Sequence, residues 1–213
     1  GTLPGADYPN DITGANPSGL SVLTHATAAP LGAGPTLFVK STNPAFDYYT
    51  HVQDAVNGSA AGAVVTIPDG IFREDVNISK PIRVNGTSQN GTILKGLYYG
   101  GSAHTVEISA GNASVNNLTI TRDYGTTTTE WFAATKNQGL TVNANNDTVS
   151  AVKVTGNRNG IYVNNRQGVV ILNSHITANR TGIQMGNDVS NGKITNNIID
   201  NNFTHGLMIN ADL

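Results

Sequence analysis

Asn-Arg-X-Gly-Ile occurs at residues 157–161 and again at 179–183, 22 residues later. Gly160-Ile161, Gly182-Ile183 and Gly206-Leu207 extend the pattern at steps of 22 and 24. Val154, Ile176 and Ile198 keep a step of 22, as do Asn157, Asn179 and Asn201. The two additional residues are therefore expected between Asn201 and Gly206. A fixed period of 20–25 residues with short apolar runs is the signature of a solenoid in which each period is one coil. Adjacent coils then lie ~4.8 Å apart, the spacing of hydrogen-bonded strands. Ile161, Val163, Ile183, Met185, Leu207 and Ile209 are expected to point inward in stacked columns, each buried side chain contributing ~1.5–3 kcal/mol. Asn157, Asn179 and Asn201 are expected at corners, because Asn tolerates left-handed backbone and its amide can bond the same amide one coil away.

Composition fits such stacking. Only 12% of the residues are charged, about half the usual ~25%, so polarity rests on Asn, Thr, Ser and Gly, which do not repel their copies. A net charge of −2 leaves no basic footprint for nucleic acid. The absence of cysteine removes disulfides, thiolate catalysis and Cys-based zinc sites. No apolar run reaches the ~20 residues of a membrane span.

Residues 1–35 hold five of the eight prolines and no Lys or Arg. They read as an extended arm, a linker, or a segment lying along another surface. Residues 36–213 form the solenoid. Within 48–58, Tyr49, Val52, Ala55 and Val56 fall at helical spacing and Asn57-Gly58 stops the helix. Short β-rich runs follow: AVVTI, DVNI, PIRV and TILKG. The order THVQDAVNGSAAG, AVVTIPDGIFREDVNISKPIRVNG and TILKG resembles the entry of right-handed parallel β-helix proteins. It is similar to the first coils of pectin-methylesterase-like and NosD-like repeat proteins of the pectin-lyase-like superfold. The resemblance covers about residues 48–213. It implies an all-β, right-handed parallel β-helix of roughly seven coils, with the small helix capping one end and Pro68-Asp69-Gly70 turning into Ile71-Phe72-Arg73-Glu74. Many functions use this scaffold.

The catalytic sets implied by the resemblance are not assembled in the sequence. Methylesterases of this kind need a pair of Asp with an Arg and flanking Gln. Gln138 and Gln167 lie in the right region, but no Asp follows either in a matching strand. The hydrolase motif is reduced to Thr204-His205-Gly206, and the epimerase motif Asp-Pro-His-Asp is absent. Asp147, Asp188 and Asp200 stand apart in register, so no acid cluster suggests calcium or another metal. No cofactor and no catalytic residue is assigned. His25, His51, His104 and His205 read as turn or surface residues. Trp131 and Phe132 read either as the tip of a protruding loop or as a lid on the coil beneath. Arg73, Glu74 and Asp75 are expected to make local pairs near the capped end.

One polar constellation remains. Lys153 and His175 are 22 apart, and so are Arg158 and Arg180. They form either a basic strip for the carboxylates or sulfates of a linear glycan or a solvated face. In a strict 22-residue register Asn197 follows His175 and Asn202 follows Arg180. Nine Asn-X-Ser/Thr triplets begin at Asn57, Asn77, Asn85, Asn90, Asn112, Asn117, Asn146, Asn179 and Asn202. They are glycosylation candidates, or the by-product of an Asn- and Thr-rich composition. The leading expectation is structural: an extracellular or cell-surface subunit that associates head-to-tail with copies of itself, or a domain of a longer parent chain. It rests on a last coil without a cap, whose edge needs cover. The alternative is a carbohydrate-active module that binds or cleaves an acidic polysaccharide.

Overall fold

The computed structural model describes the backbone of residues 36–38 and the full residues 51–97, 103–122 and 138–210. The segment 1–35, Trp131 and Phe132 lie outside the described residues, and with them the expectations for the arm and the aromatic loop.

Three parallel sheets run along the molecule. The first has seven strands: Thr36–Phe38, Val64–Ile67, Arg83–Gly86, Ser114–Asn116, Thr148–Ser150, Val170–Leu172 and Lys193–Thr195. The second has six: Gly70–Phe72, Thr92–Gly96, Thr119–Arg122, Lys153–Thr155, His175–Thr177 and Ile198–Asp200. The third also has six: Val76–Ile78, His104–Ile108, Gln138–Val142, Asn159–Asn164, Thr181–Gly186 and His205–Asn210. Each coil contributes one strand to each sheet in turn, which is a parallel β-helix. The described residues form six coils rather than the seven expected. The step along the column Val65, Val84, Val115, Val149, Ile171, Ile194 is 19, 31, 34, 22 and 23 residues. The two long steps carry residues 98–102 and 123–137, so the 22-residue period is clear only in the last three coils.

The interior is built from register. Val65, Val84, Val115, Val149 and Ile171 are each 0% exposed, because parallel strands place every second residue on one face. Ile161 pairs with Ile183 and Val163 with Met185, all buried as expected. Leu207 and Ile209 continue both columns. They stay exposed because no further coil covers them among the described residues.

The corners carry the largest correction. Among the described residues, eleven non-glycine residues have left-handed φ, nine of them Asn. One column is Gly156, Ala178 and Asn201, with φ of 77°, 54° and 51°. Asn157 and Asn179 do not belong to it. They follow it and turn inward, and their partner in the next coil is Asn202, not Asn201. The Asn179 Oδ1 accepts the Asn157 N–H at 3.0 Å, and the Asn202 Oδ1 accepts the Asn179 N–H at 3.0 Å. The Asn179 amide also donates to the carbonyls of Val154 and Thr177. Asn offers acceptor and donor on one short arm, so a single column satisfies the buried backbone of the turn. The added residues are split. Gln167 bridges Ser190, a step of 23, while Asn164 still pairs with Gly186 at 22. One extra residue therefore falls between Gly186 and Ser190. The other falls between Phe203 and His205, because the Thr204 N–H bonds the Arg180 carbonyl and Thr181 pairs with His205.

Helix Val52–Gly58 buries Val52, Ala55 and Val56 over the first coil. The Glu74 carboxylate accepts the N–H groups of Val52 and Gln53 at 2.9 and 2.8 Å. The Lys80 ammonium donates to the carbonyls of Asn57 and Ser59 at the other end. Both charges oppose the helix dipole. The Gln53 side-chain amide pairs with the backbone of Asn77 as a strand would, accepting its N–H at 2.6 Å and donating to its carbonyl at 3.2 Å. This closes the edge of the first strand of the third sheet.

Candidate functional site

The outward face of the second sheet carries two rows of side chains. One is Ile71, Ile93, Thr119, Lys153, His175 and Ile198; beside it, Lys95, Thr121, Thr177 and Asp200 lie on the same side of the strands. Lys153 and His175 are in register, as the spacing predicts. His175 is followed by Ile198, not Asn197, because the step has grown to 23. Asn197 instead follows Ser174 and accepts its N–H at 2.9 Å. Arg158 and Arg180 lie beyond the other end of these strands, past the corner that leads into the third sheet. The structure therefore does not merge the four basic residues into one strip.

A cleft of about 380 Å³ opens at the near edge of this face, lined by Gln89, Asn173, Ser174, His175, Asn196 and Ile198. One wall is the turn around Gln89. The Gln89 carbonyl accepts the Thr119 hydroxyl at 2.6 Å, and its side chain donates to the Ala151 carbonyl at 2.9 Å, 62 residues away. Beyond this turn the cleft opens over residues 173–175, Asn196 and Ile198. Asn173 and Asn196 hold left-handed φ of 52° and 54°, which exposes their amides at its rim. The His175 Nε2 lies 3.0 Å from the Asp200 Oδ1. Hydrogen bonds from Thr177 and His175 hold the Asp200 carboxyl below the usual carboxylate range.

The sequence pattern did not single out Gln89, Asn173 or Asn196, and it left Asp200 without a partner. It set Ile198 in one column with Val154 and Ile176, where the structure has Ile199 and leaves Ile198 exposed beside His175. Only the 23-residue step brings Asp200 beside His175.

The row of the third sheet that carries Gln138 holds His104, Asn159, Thr181 and His205. It contains amides, hydroxyls and imidazoles but no carboxylate pair. Gln167 sits beyond the far end of the strands, where its N–H bonds the Asn145 side chain. His104 is not a turn residue: it opens a strand, bonds the Thr141 hydroxyl at 2.8 Å and lies 3.7 Å from Glu107. His51 lies 3.6 Å from Glu74, and His205 is exposed. Asp147 is buried at a corner, and Asp188 is exposed. Among the described residues no group of three His, Cys, Asp or Glu could hold a metal.

Of the glycosylation candidates, Asn57, Asn77, Asn90, Asn112 and Asn146 are exposed. Asn85 is half-buried and accepts the Asn116 amide. Asn117, Asn179 and Asn202 have their Nδ2 donating to backbone carbonyls, and Asn179 is fully buried. No helix among the described residues is long and apolar enough to cross a membrane.

No family model and no curated protein matches the chain. Solved structures do. Pectin methylesterase PemA from Erwinia chrysanthemi aligns with a TM-score of 0.58 at 19% identity, over 72% of this chain and 54% of that one. The pectin methylesterase from Aspergillus niger aligns at 0.56 and 19%, over 87% and 68%. The alginate lyase from Paenibacillus sp. str. FPU-7 aligns at 0.53 and 14%, over 82% and 64%. The chain spans about half the length of the Erwinia enzyme. What it shares with all three is the parallel β-helix of the pectin-lyase-like fold.

Proposed function

We propose that this chain is an extracellular carbohydrate-binding module that holds a glycan in the cleft on the second sheet. The cleft carries the proposal: His175 and Ile198 form a floor, and the side-chain amides of Gln89, Asn173 and Asn196 stand around it. A partly apolar floor with a few polar groups at its rim is how small-ligand sites are built, and ~380 Å³ lies within their usual range. The names of the aligned structures support a polysaccharide ligand, since they are enzymes of pectin and alginate. Binding is favoured over cleavage because the Gln138 row offers no carboxylate pair for general acid and base work among the described residues. The test is a backbone NMR titration with a broad oligosaccharide panel. Shifts should gather at Gln89, Asn173, His175 and Ile198. Shifts scattered elsewhere, or none with any sugar, would refute the reading.

A second reading, association in a surface assembly, is favoured by one observation. The inward-facing Leu207 and Ile209 of the last described coil are 43% and 68% exposed. Further coils or a second copy would cover them. Light scattering over a concentration series tests the second copy, and a monomer at all concentrations excludes it.

A further inference from the structure

Resting on the carbohydrate reading, we infer that the ligand of the second-sheet cleft is a neutral, hydroxyl-rich saccharide, not a uronate or sulfated glycan. None of the described residues lining the cleft is Lys or Arg. Gln89 has committed its Nε2 to Ala151, so its Oε1 remains as an acceptor. Asn173 and Asn196 each present a donor and an acceptor at the rim. Such groups match hydroxyls, which also donate and accept. They do not neutralise a carboxylate or sulfate, for which Arg and Lys are the usual partners.

The floor supports the same assignment. Asp200 borders it through His175, and Thr177 and His175 keep that carboxylate ionised to lower pH than usual. A fixed negative charge repels an anionic sugar at short range. Asp200 stands outside the lining and acts on the floor by holding the His175 ring through their hydrogen bond. Ile198 is 59% exposed in the midst of polar residues. The C–H face of a sugar ring would cover it and remove apolar surface from water. Lys153 stands one coil back, in register with His175 but outside the lining. Lys95 lies two coils further back.

The test is calorimetric titration of the full chain at low and high salt. The ligands are neutral oligosaccharides of glucose, mannose and N-acetylglucosamine, and oligogalacturonate and oligomannuronate. At least one neutral sugar should bind with an affinity that salt leaves unchanged. Asp200→Asn and Asn196→Gly should each weaken it about tenfold. Glycine keeps the left-handed corner at 196 while removing the amide, and thermal melts check that both variants fold. Binding of uronates alone would overturn the inference and leave the carbohydrate reading standing. Neutral binding that neither variant weakens would overturn the assignment to this cleft. If no sugar of either class binds, the carbohydrate reading fails and the inference with it.

Discussion

Asp147 is a corner residue whose chemistry opposes its surroundings. It is 0% exposed. Its Oδ1 accepts the Ala113 N–H at 2.9 Å, with a further backbone bond from Asn112, while its Oδ2 is buried without a partner among the described residues. Burial pushes its pKa from 3.8 up to about 6, against the pull of the two N–H groups. The folded state therefore holds a proton that the unfolded chain has already lost. Stability from this group is fully present below about pH 4 and is lost as pH rises through about 6. The interval corresponds to about 3 kcal/mol at 1.36 kcal/mol per pH unit. Water beyond the corner screens part of it, leaving about 1–2 kcal/mol.

Asp147→Asn keeps the acceptor for Ala113 and replaces the unpartnered oxygen with a donor. Asn179 shows what that donor can do, since its Nδ2 reaches two carbonyls at the equivalent kind of turn. The variant should gain about 1–2 kcal/mol at pH 7.5 and much less at pH 4, as the wild-type proton returns. Urea denaturation at several pH values measures this, with midpoints compared at constant slope. An equal gain at every pH would show that titration is not the cause. A loss at pH 7.5 would show that the Oδ2 is satisfied in solution, for instance by a bound water.

Three further outcomes follow from the corners. Asn179→Leu removes the acceptor of the Asn157 N–H and the donor to two buried carbonyls, so it should cost about 3 kcal/mol at ~1 kcal/mol per bond, read from urea midpoints. Gly160→Ala would place a Cβ 2.5 Å from the Gly182 carbonyl and 2.9 Å from the Asn179 amide, and the forced shift should lower stability by about 2–3 kcal/mol in the same assay. Ala178→Gly relieves a left-handed φ of 54° and should stabilise by about 0.5–1 kcal/mol, seen as a rise in melting temperature.

The inward columns and the capping helix were legible in the sequence, because both follow from periodicity. Ile161, Ile183 and Leu207 keep their places at spacings of 22 and 24 whichever side of the corner the extra residues enter. The asparagine ladder was legible only in part. Asn201 and Asn202 are adjacent and of one type, so spacing cannot tell the residue that bends left-handed from the one that turns inward. The one-residue bulge between Gly186 and Ser190 decides it, and its cause lies in backbone pairing rather than in any residue pattern. The same bulge hid the cleft. It moves Ile198 and Asp200, rather than Asn197, onto the face beside His175. The opposite wall comes from Gln89, held by a bond that spans 62 residues and two coils of irregular length.

The corners themselves show why composition misleads. Gly156, Ala178 and Asn201 share one left-handed column, and Asn117, Ala151, Asn173 and Asn196 share another. Alanine has neither glycine's freedom nor asparagine's local hydrogen bond, so its presence cannot be explained by intrinsic preference. The ladder supplies the reason. The Ala151 N–H bonds the Leu172 carbonyl, and the Ala178 carbonyl accepts the Gly156 N–H. Each coil is thus held in the shape of its neighbour by backbone bonds that do not depend on the side chain. A coil with a poor corner residue survives between two coils with good ones. The side chains at the outer corners are therefore free to vary, and Asn173 and Asn196 are available to face a ligand.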